Sequence, residues 1–308
     1  MKFTKCSIIE IGGTKMIDLH MHTIYSDGCN TIEQILKMCE EQKLEYISIT
    51  DHNTCKAYYD EAIKNNNIFT GSIIKGCELN AEFQGRGIEI LGYNINPDII
   101  MEWREKYYSV EQKNKNNEIV REILLKALDK KGVKYNEKEI RPTKSENEFV
   151  ERPIWEEITK YPENKEIIGE DCFALARTWF RKEVTNPNSD YFSNRVSMFP
   201  KLKEVIEIIH KAGGIAFLAH PFEYEIEDTI KFIDDLINEV KLDGIECFHP
   251  SSEDNGKSDI LKEYANKNNL YISGGSDYHG KQKPDIKLAK GKGSLKISKD
   301  IIKPWLEK

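Results

Sequence analysis

Short apolar runs and segments of helical spacing alternate through the first and last thirds of this chain. Residues 16–22 read as a strand. Residues 31–44 place Ile32, Ile35, Leu36 and Cys39 on one helical face, behind an Asn30 or Thr31 cap. Residues 46–50 are rich in β-formers, 54–65 look helical, and 73–79 and 87–93 read as two more strands. The last third repeats the rhythm. A helix over 202–212 is stopped by Gly213-Gly214, and a strand follows over 215–219. A helix over 226–240 carries Ile230, Ile233, Leu236 and Ile237 on one face. Then come a strand at 244–248, a helix at 259–268 and a strand at 271–274. Strands alternating with helices predict an α/β fold with a parallel sheet and helical crossovers.

The middle of the chain differs. Residues 101–199 are charged, rich in Lys and Asn, and mostly helical in pattern, with a long amphipathic helix over 111–131 and a shorter one over 171–182. This predicts one domain built from 1–100 and 200–308, with a helical insertion subdomain over 101–199. Residues 280–293 form a polar, Lys- and Gly-rich loop.

Composition narrows the class. The formal net charge of -7 argues against a broad basic surface for nucleic acid. No apolar run is long enough to span a membrane. Residues 1–15 contain no stretch of signal-peptide length, which leads us to expect a cytoplasmic protein. The seven cysteines include no C-x-x-C pair and are expected to be free thiols; Cys77 and Cys247 are read as packing residues.

The candidate chemistry lies in the histidines. Six of the seven sit in short cassettes that close apolar runs: Asp18-Leu19-His20-Met21-His22, Thr50-Asp51-His52, Leu218-Ala219-His220-Pro221, Cys247-Phe248-His249-Pro250 and Ser276-Asp277-Tyr278-His279. Sites in parallel α/β sheets form at the carboxyl ends of strands, and each cassette lies at such an end. Side chains two apart on a strand share a face, so His20 and His22 form a pair, as do Asp277 and His279. Glu78 ends the third strand and Asp27 follows the first. A lone H-x-H is often coincidence, and Asp27 before Gly28 taken alone is an ordinary turn. Five strand ends carrying the same chemistry make coincidence improbable. His210, mid-helix, is left as structural.

The candidate ligands are therefore His20, His22, Asp27, His52, Glu78, His220, His249, Asp277 and His279. One catalytic ion takes three or four protein ligands, so nine suit two or three ions. Imidazole and carboxylate without thiolate fit Mn, Fe or Zn. Ions about 3.5–4 Å apart polarise a phosphoryl oxygen and lower the pKa of a bridging water. Phosphate loops of the Gly-rich type and a G-x-S-x-G elbow are absent.

Taken in order, His20-Met21-His22-Thr23-Ile24-Tyr25-Ser26-Asp27-Gly28, Thr50-Asp51-His52, Glu78, Ala219-His220-Pro221, His249 and Gly275-Ser276-Asp277-Tyr278-His279-Gly280 resemble the PHP (polymerase and histidinol phosphatase) superfamily. The resemblance implies a distorted (β/α)7 TIM-like barrel with a trinuclear metal centre. It implies one ion on His20, His22, Glu78 and Asp277, a second on Glu78, His220 and His249, and a third on Asp27, His52 and His279. Asp51 would orient a ligand from behind. Relatives with an insertion act on nucleotide bisphosphates or RNA ends, and many carry G-R-P-H-x-A there. The counterpart here is Gly169-Glu170-Asp171-Cys172-Phe173-Ala174, without the basic pair.

The resemblance implies a metal-dependent phosphoesterase that attacks a phosphomonoester, of a small metabolite or nucleotide, with a metal-bridging hydroxide. A phosphate substrate needs cations, and Arg177 and Arg195 are read as the residues that meet it. The alternative is a 3′- or 5′-end exonuclease or ribonuclease. A third reading is a non-catalytic, metal-stabilised binding module, which the complete ligand set disfavours.

Overall fold

The computed structural model describes residues 16–144 and 148–306, and its strands fall into two sheets. In the first, β1 (Ile17–Asp18), β2 (Tyr46–Ile47) and β3 (Ser72–Ile73) pair in parallel in that order. The second runs in the order β4 (Gly76–Phe83), β5 (Arg86–Tyr93), β6 (Ile215–Leu218), β7 (Gly244–Phe248) and β8 (Tyr271–Gly274). There β6, β7 and β8 are parallel, while β5 lies antiparallel to β6. The fold is mixed α/β, as the alternating pattern predicts.

Among the described residues the two sheets do not join into one closed ring of strands. Isolated bridges tie their ends instead: Met21 with Tyr278, and His52 with Glu78. The backbone turns left-handed at Asn53, His220 and Asp277, with φ of 53°, 25° and 53°, just where the cassettes begin to aim their side chains. Non-glycine residues are strained there, and such strain is held in place by the surrounding structure at functional sites. The run 73–79, expected as one strand, is also divided. It leaves one sheet at Ile73 and enters the other at Gly76.

The helices follow the pattern with trimmed ends. Ile32–Glu41 is capped by Thr31, whose side chain accepts from the Gln34 N–H while the Gln34 side chain accepts from the Thr31 N–H. It buries Ile32, Ile35, Leu36 and Cys39. Leu202–Lys211, Thr229–Glu239 and Lys257–Lys267 cover the remaining crossovers. The segment 54–65 is a 3₁₀ turn, Lys56–Tyr59, and a short helix, Glu61–Lys64. Asp60 separates them because its carboxylate caps the second piece, accepting from the Ala62 N–H.

The chain divides into two compact units: Met1–Asn80, Ile88–Met101 and Leu202–Lys308 form one, and Ala81–Gly87 and Glu102–Lys201 the other. In the first, Ile17, Leu19, Leu91, Phe217 and Trp305 pack round Tyr93, whose hydroxyl donates to the Leu19 carbonyl at 3.1 Å. Burying each such side chain is worth about 1.5–3 kcal/mol. In the second, the helix Val110–Lys131 sets Val120, Leu124 and Leu128 against Ile154, Ile158 and Trp179. The helix expected at 171–182 is broken. Glu170–Ala174 ends at Leu175, which is extended, and Ala176–Trp179 runs into a π-turn at Phe180–Val184.

No helix among the described residues is long and apolar enough to cross a membrane. The described cysteines are free, and Cys77 and Cys247 are buried. Cys6 and the stretch 1–15, for which no export signal is expected, lie outside the described residues.

Candidate metal centre

His20 and His22 follow β1 with their neighbours Leu19 and Met21 fully buried in the core. Alternation then turns both imidazoles to the opposite face, where they meet. Their Nε2 atoms are 3.1 Å apart. Glu78 Oε2 lies 3.2 Å from the first and 3.3 Å from the second, and Asp277 Oδ1 lies 3.5 and 3.2 Å from them. Four donors from three separate chain segments thus face one point. Glycine makes the approach possible: a Cβ on Gly275 would stand 2.2 Å from the His20 backbone nitrogen.

A second gathering surrounds Asp27. Its Oδ1 is 3.2 Å from His279 Nε2, 3.8 Å from His52 Nε2 and 3.9 Å from His22 Nδ1. A third surrounds Glu78 and His220, whose Oε1 and Nε2 are 2.9 Å apart. All nine residues expected from the cassettes lie in these groups or touch them, and all belong to the first unit. His249 is placed differently from what the resemblance implies. Its Nε2 faces Asp277 Oδ2 at 3.4 Å and Glu223 Oε1 at 4.0 Å, and Glu89 takes the place beside Glu78 and His220.

Asp51 is buried, and its carboxylate accepts from the Thr23 N–H and hydroxyl, both at 2.7 Å, and from the Ser26 hydroxyl at 2.6 Å. It fastens the loop between His22 and Asp27. Arg195 is engaged elsewhere, in a two-pronged pair with the buried Glu151 at 2.6 and 2.7 Å. Arg177 is exposed on the short helix Ala176–Trp179. Both arginines belong to the second unit.

Three further carboxylates, Glu246, Glu89 and the Asp18 of the first cassette, were not among the nominated ligands. Glu246, on β7, is fully buried between Ile245 and Cys247. Its Oε1 lies 3.0 Å from His20 Nδ1, and its Oε2 accepts from the His220 N–H at 2.9 Å. Glu89, on β5, lies 3.4 Å from His52 Nδ1 and 3.2 Å from His220 Nε2. Asp18 accepts from the Ser276 N–H and hydroxyl at 2.8 and 2.6 Å and from the Ala289 N–H at 2.7 Å. The available signal was a lone acid inside an apolar strand, Ile-Glu-Cys for Glu246 and Ile-Asp-Leu for Asp18. Glu89 alternates with buried Ile88 and Ile90 and carries no such signal.

Burial alone would disfavour every charge here. For His20, the carboxylates of Glu78, Glu246 and Asp277 outweigh that burial and push the imidazole well above its ordinary range. His220 is raised likewise against its burial, by Tyr224, Glu78 and Glu89. Glu78 and Asp277 are held well below the carboxylate range, because the surrounding imidazoles overcome their desolvation. The pocket is thus a set of anions and lone pairs that call for positive charge.

Divalent ions fit it. Glu78 Oε2, His52 Nδ1 and His249 Nε2 are buried without a hydrogen-bond partner. Three imidazole nitrogens surround a single carboxylate oxygen, Glu78 Oε2, at 3.1–3.3 Å. Three N–H donors would crowd onto that one oxygen, whereas an ion would be shared among the same atoms. The donors are imidazole and carboxylate, which suits a divalent transition metal.

Fold and site together define an α/β protein whose strand ends gather a cation-binding set of imidazoles and carboxylates. The chain belongs to the PHP domain family, whose model matches residues 18–257. It is 26% identical over 268 residues to a phosphoribosyl 1,2-cyclic phosphate 1,2-diphosphodiesterase from Eggerthella lenta, covering 86% of this chain and 94% of that one. It is 24% identical to the 5′-3′ exoribonuclease Rnm of Escherichia coli, covering 85% and 84%. It is also 24% identical to a 3′,5′-nucleoside bisphosphate phosphatase of Chromobacterium violaceum, covering 85% and 87%. A solved structure from Bifidobacterium adolescentis, described as a "putative metal-dependent phosphoesterase", shares the fold with a TM-score of 0.65 at 20% identity, covering 95% and 96%.

Proposed function

We propose that this chain is a metal-dependent phosphoesterase that hydrolyses a phosphomonoester of a small metabolite or nucleotide. It is a hydrolase acting on phosphoric ester bonds, the reaction class of the named relatives. The observation that carries the reading is the convergence on Glu78: one buried carboxylate within 3.3 Å of His20, His22 and His52 and, through its other oxygen, 2.9 Å from His220. A carboxylate so placed would hold bound ions together with these histidines.

Two or three divalent ions, Mn, Fe or Zn, are assigned to the site. His20, His22, Glu78 and Asp277 would hold one; Asp27, His52 and His279 would hold another; Glu78 and His220, with His249 or Glu89, would hold a third. Bound ions would supply Lewis acidity toward a phosphoryl oxygen and a more acidic water. The chain's own residues do the rest. Glu246 orients His20, and Asp51 fixes the loop that carries Asp27. The two bridged sheets are read as the walls of a distorted barrel, residues 101–199 as an insertion, and the cytoplasm as the compartment.

The test is hydrolysis of a chromogenic phosphomonoester and a nucleotide panel by Mn²⁺-loaded protein, with metal content measured alongside. His22→Ala and Asp277→Ala should each abolish turnover with the fold retained. A metal-filled protein inert toward every ester, or undiminished turnover in both variants, refutes the proposal. The second reading, trimming of nucleic acid ends, draws on the exoribonuclease relative. Stepwise shortening of a labelled oligonucleotide would favour it.

A further inference from the structure

Lys283 lies in the Lys-rich loop that the sequence pattern leaves without a role. In the structure its ammonium pairs with Asp277 Oδ2. The carboxylate of Asp277 is divided between two tasks. Oδ1 faces inward to the ring nitrogens of His20, His22 and His279, at 3.2–3.5 Å. Oδ2 faces the other way, toward Lys283 and His249 Nε2. Lys283 therefore stands on the outer edge of the ligand set. Its side chain is 32% exposed where that of Asp277 is 5% exposed, so it is open to a ligand arriving from solvent.

The loop holds it there. Gly280, at φ +66°, starts a 3₁₀ turn over Gly280–Gln282, and the Lys283 N–H donates to the Gly280 carbonyl at 3.2 Å. Pro284 follows, and Lys283 closes the turn with φ -123° and ψ 74°. An ammonium has three donors, and Asp277 Oδ2 takes one of them. An anion that approaches the ions' outer side meets the others.

We infer that Lys283 is the cation that recognises the substrate's phosphoryl group at the mouth of the metal centre. The inference rests on the phosphoesterase reading and adds to it a residue that selects anionic substrates. A compact, hydrated ammonium beside the ions suits a terminal phosphate with freely rotating oxygens.

The experiment compares Mn²⁺-loaded wild type, Lys283→Ala and Lys283→Arg in three measurements: metal content, binding of inorganic phosphate by calorimetry, and KM and kcat for a phosphomonoester. Lys283→Ala is expected to keep its metal, to bind inorganic phosphate about tenfold more weakly or worse, and to lose activity mainly through KM. Lys283→Arg should recover part of the phosphate affinity. Unchanged phosphate affinity in Lys283→Ala overturns the inference. So does a loss of bound metal, which would make Lys283 a positioning residue for Asp277. If wild type hydrolyses no ester yet its phosphate binding falls in Lys283→Ala, the inference stands and the phosphoesterase reading fails.

Discussion

Oε1 of Glu246 lies 3.0 Å from Nδ1 of His20, and both side chains are fully buried. That contact places an N–H on Nδ1, while Nε2 faces Glu78 and Asp277 and would be the ligand atom toward a bound ion. Glu246 Oε2 meanwhile accepts from the His220 N–H, so one carboxylate orders two strand ends. Glu246→Gln keeps the shape, removes the charge and offers only one acceptor. Metal affinity should fall about tenfold or more, read by competition with a fluorescent chelator, while the circular dichroism spectrum stays unchanged. Undiminished affinity would remove Glu246 from the account.

Gly275 is a steric requirement of the site. A Cβ there would lie 2.2 Å from the His20 nitrogen and 2.3 Å from the His20 Cβ. Gly275→Ala must displace the end of β1 or the loop before Asp277. We expect a stability loss of about 2–3 kcal/mol in urea denaturation together with weaker metal binding. A variant as stable as wild type would show that the two segments separate freely.

The second unit carries an acid-sensitive network independent of the metal centre. Arg141 pairs with Glu148 and Glu156 at 2.7 Å each. Its guanidinium lowers the Glu156 carboxyl to about 2 from an ordinary 4.5, helped by Arg152 and opposed by partial burial. A depressed carboxyl stabilises the fold above its unfolded value and loses that contribution as pH falls through the folded one. Stability of this unit should therefore decline between about pH 4.5 and 2. The pair is partly exposed, so the effect is about 1 kcal/mol. Urea melts followed by tryptophan fluorescence at pH 6 and pH 3 should show a smaller acid loss in Glu156→Gln than in wild type. Equal losses would count against the network.

Arg195 and Glu151 form a well-buried ion pair of this unit, with Glu151 3% and Arg195 16% exposed at the side chain. Glu151→Ala leaves the guanidinium without its carboxylate and should cost about 3 kcal/mol, visible as a lower melting temperature. Arg195→Ala should lower stability as well. If it raised KM and spared the melting temperature, Arg195 would belong to substrate recognition.

The cassettes were legible because they combine two local signals, an apolar strand and a histidine or carboxylate at its end. All nine residues they nominate meet at or beside the centre. Glu246, Asp18 and Glu89 were not legible, since an acid inside a strand declares neither its partner nor, for Glu89, its face. The expected helix over 171–182 is interrupted at Leu175, which is extended and exposed.

The amino-acid sequence by itself nominated nine side chains that the fold brings together and indicated that strands and helices would alternate, because propensity, capping and side-chain alternation act over a few residues. Tertiary structure decided the rest. It paired β5 antiparallel to β6, divided the strands between two sheets, turned His249 toward Asp277, and set Glu246 behind His20 and Lys283 before Asp277. The longest of those side-chain pairings, between Glu246 and His20, joins residues 226 positions apart, and only the packing of the folded chain brings them within hydrogen-bonding distance.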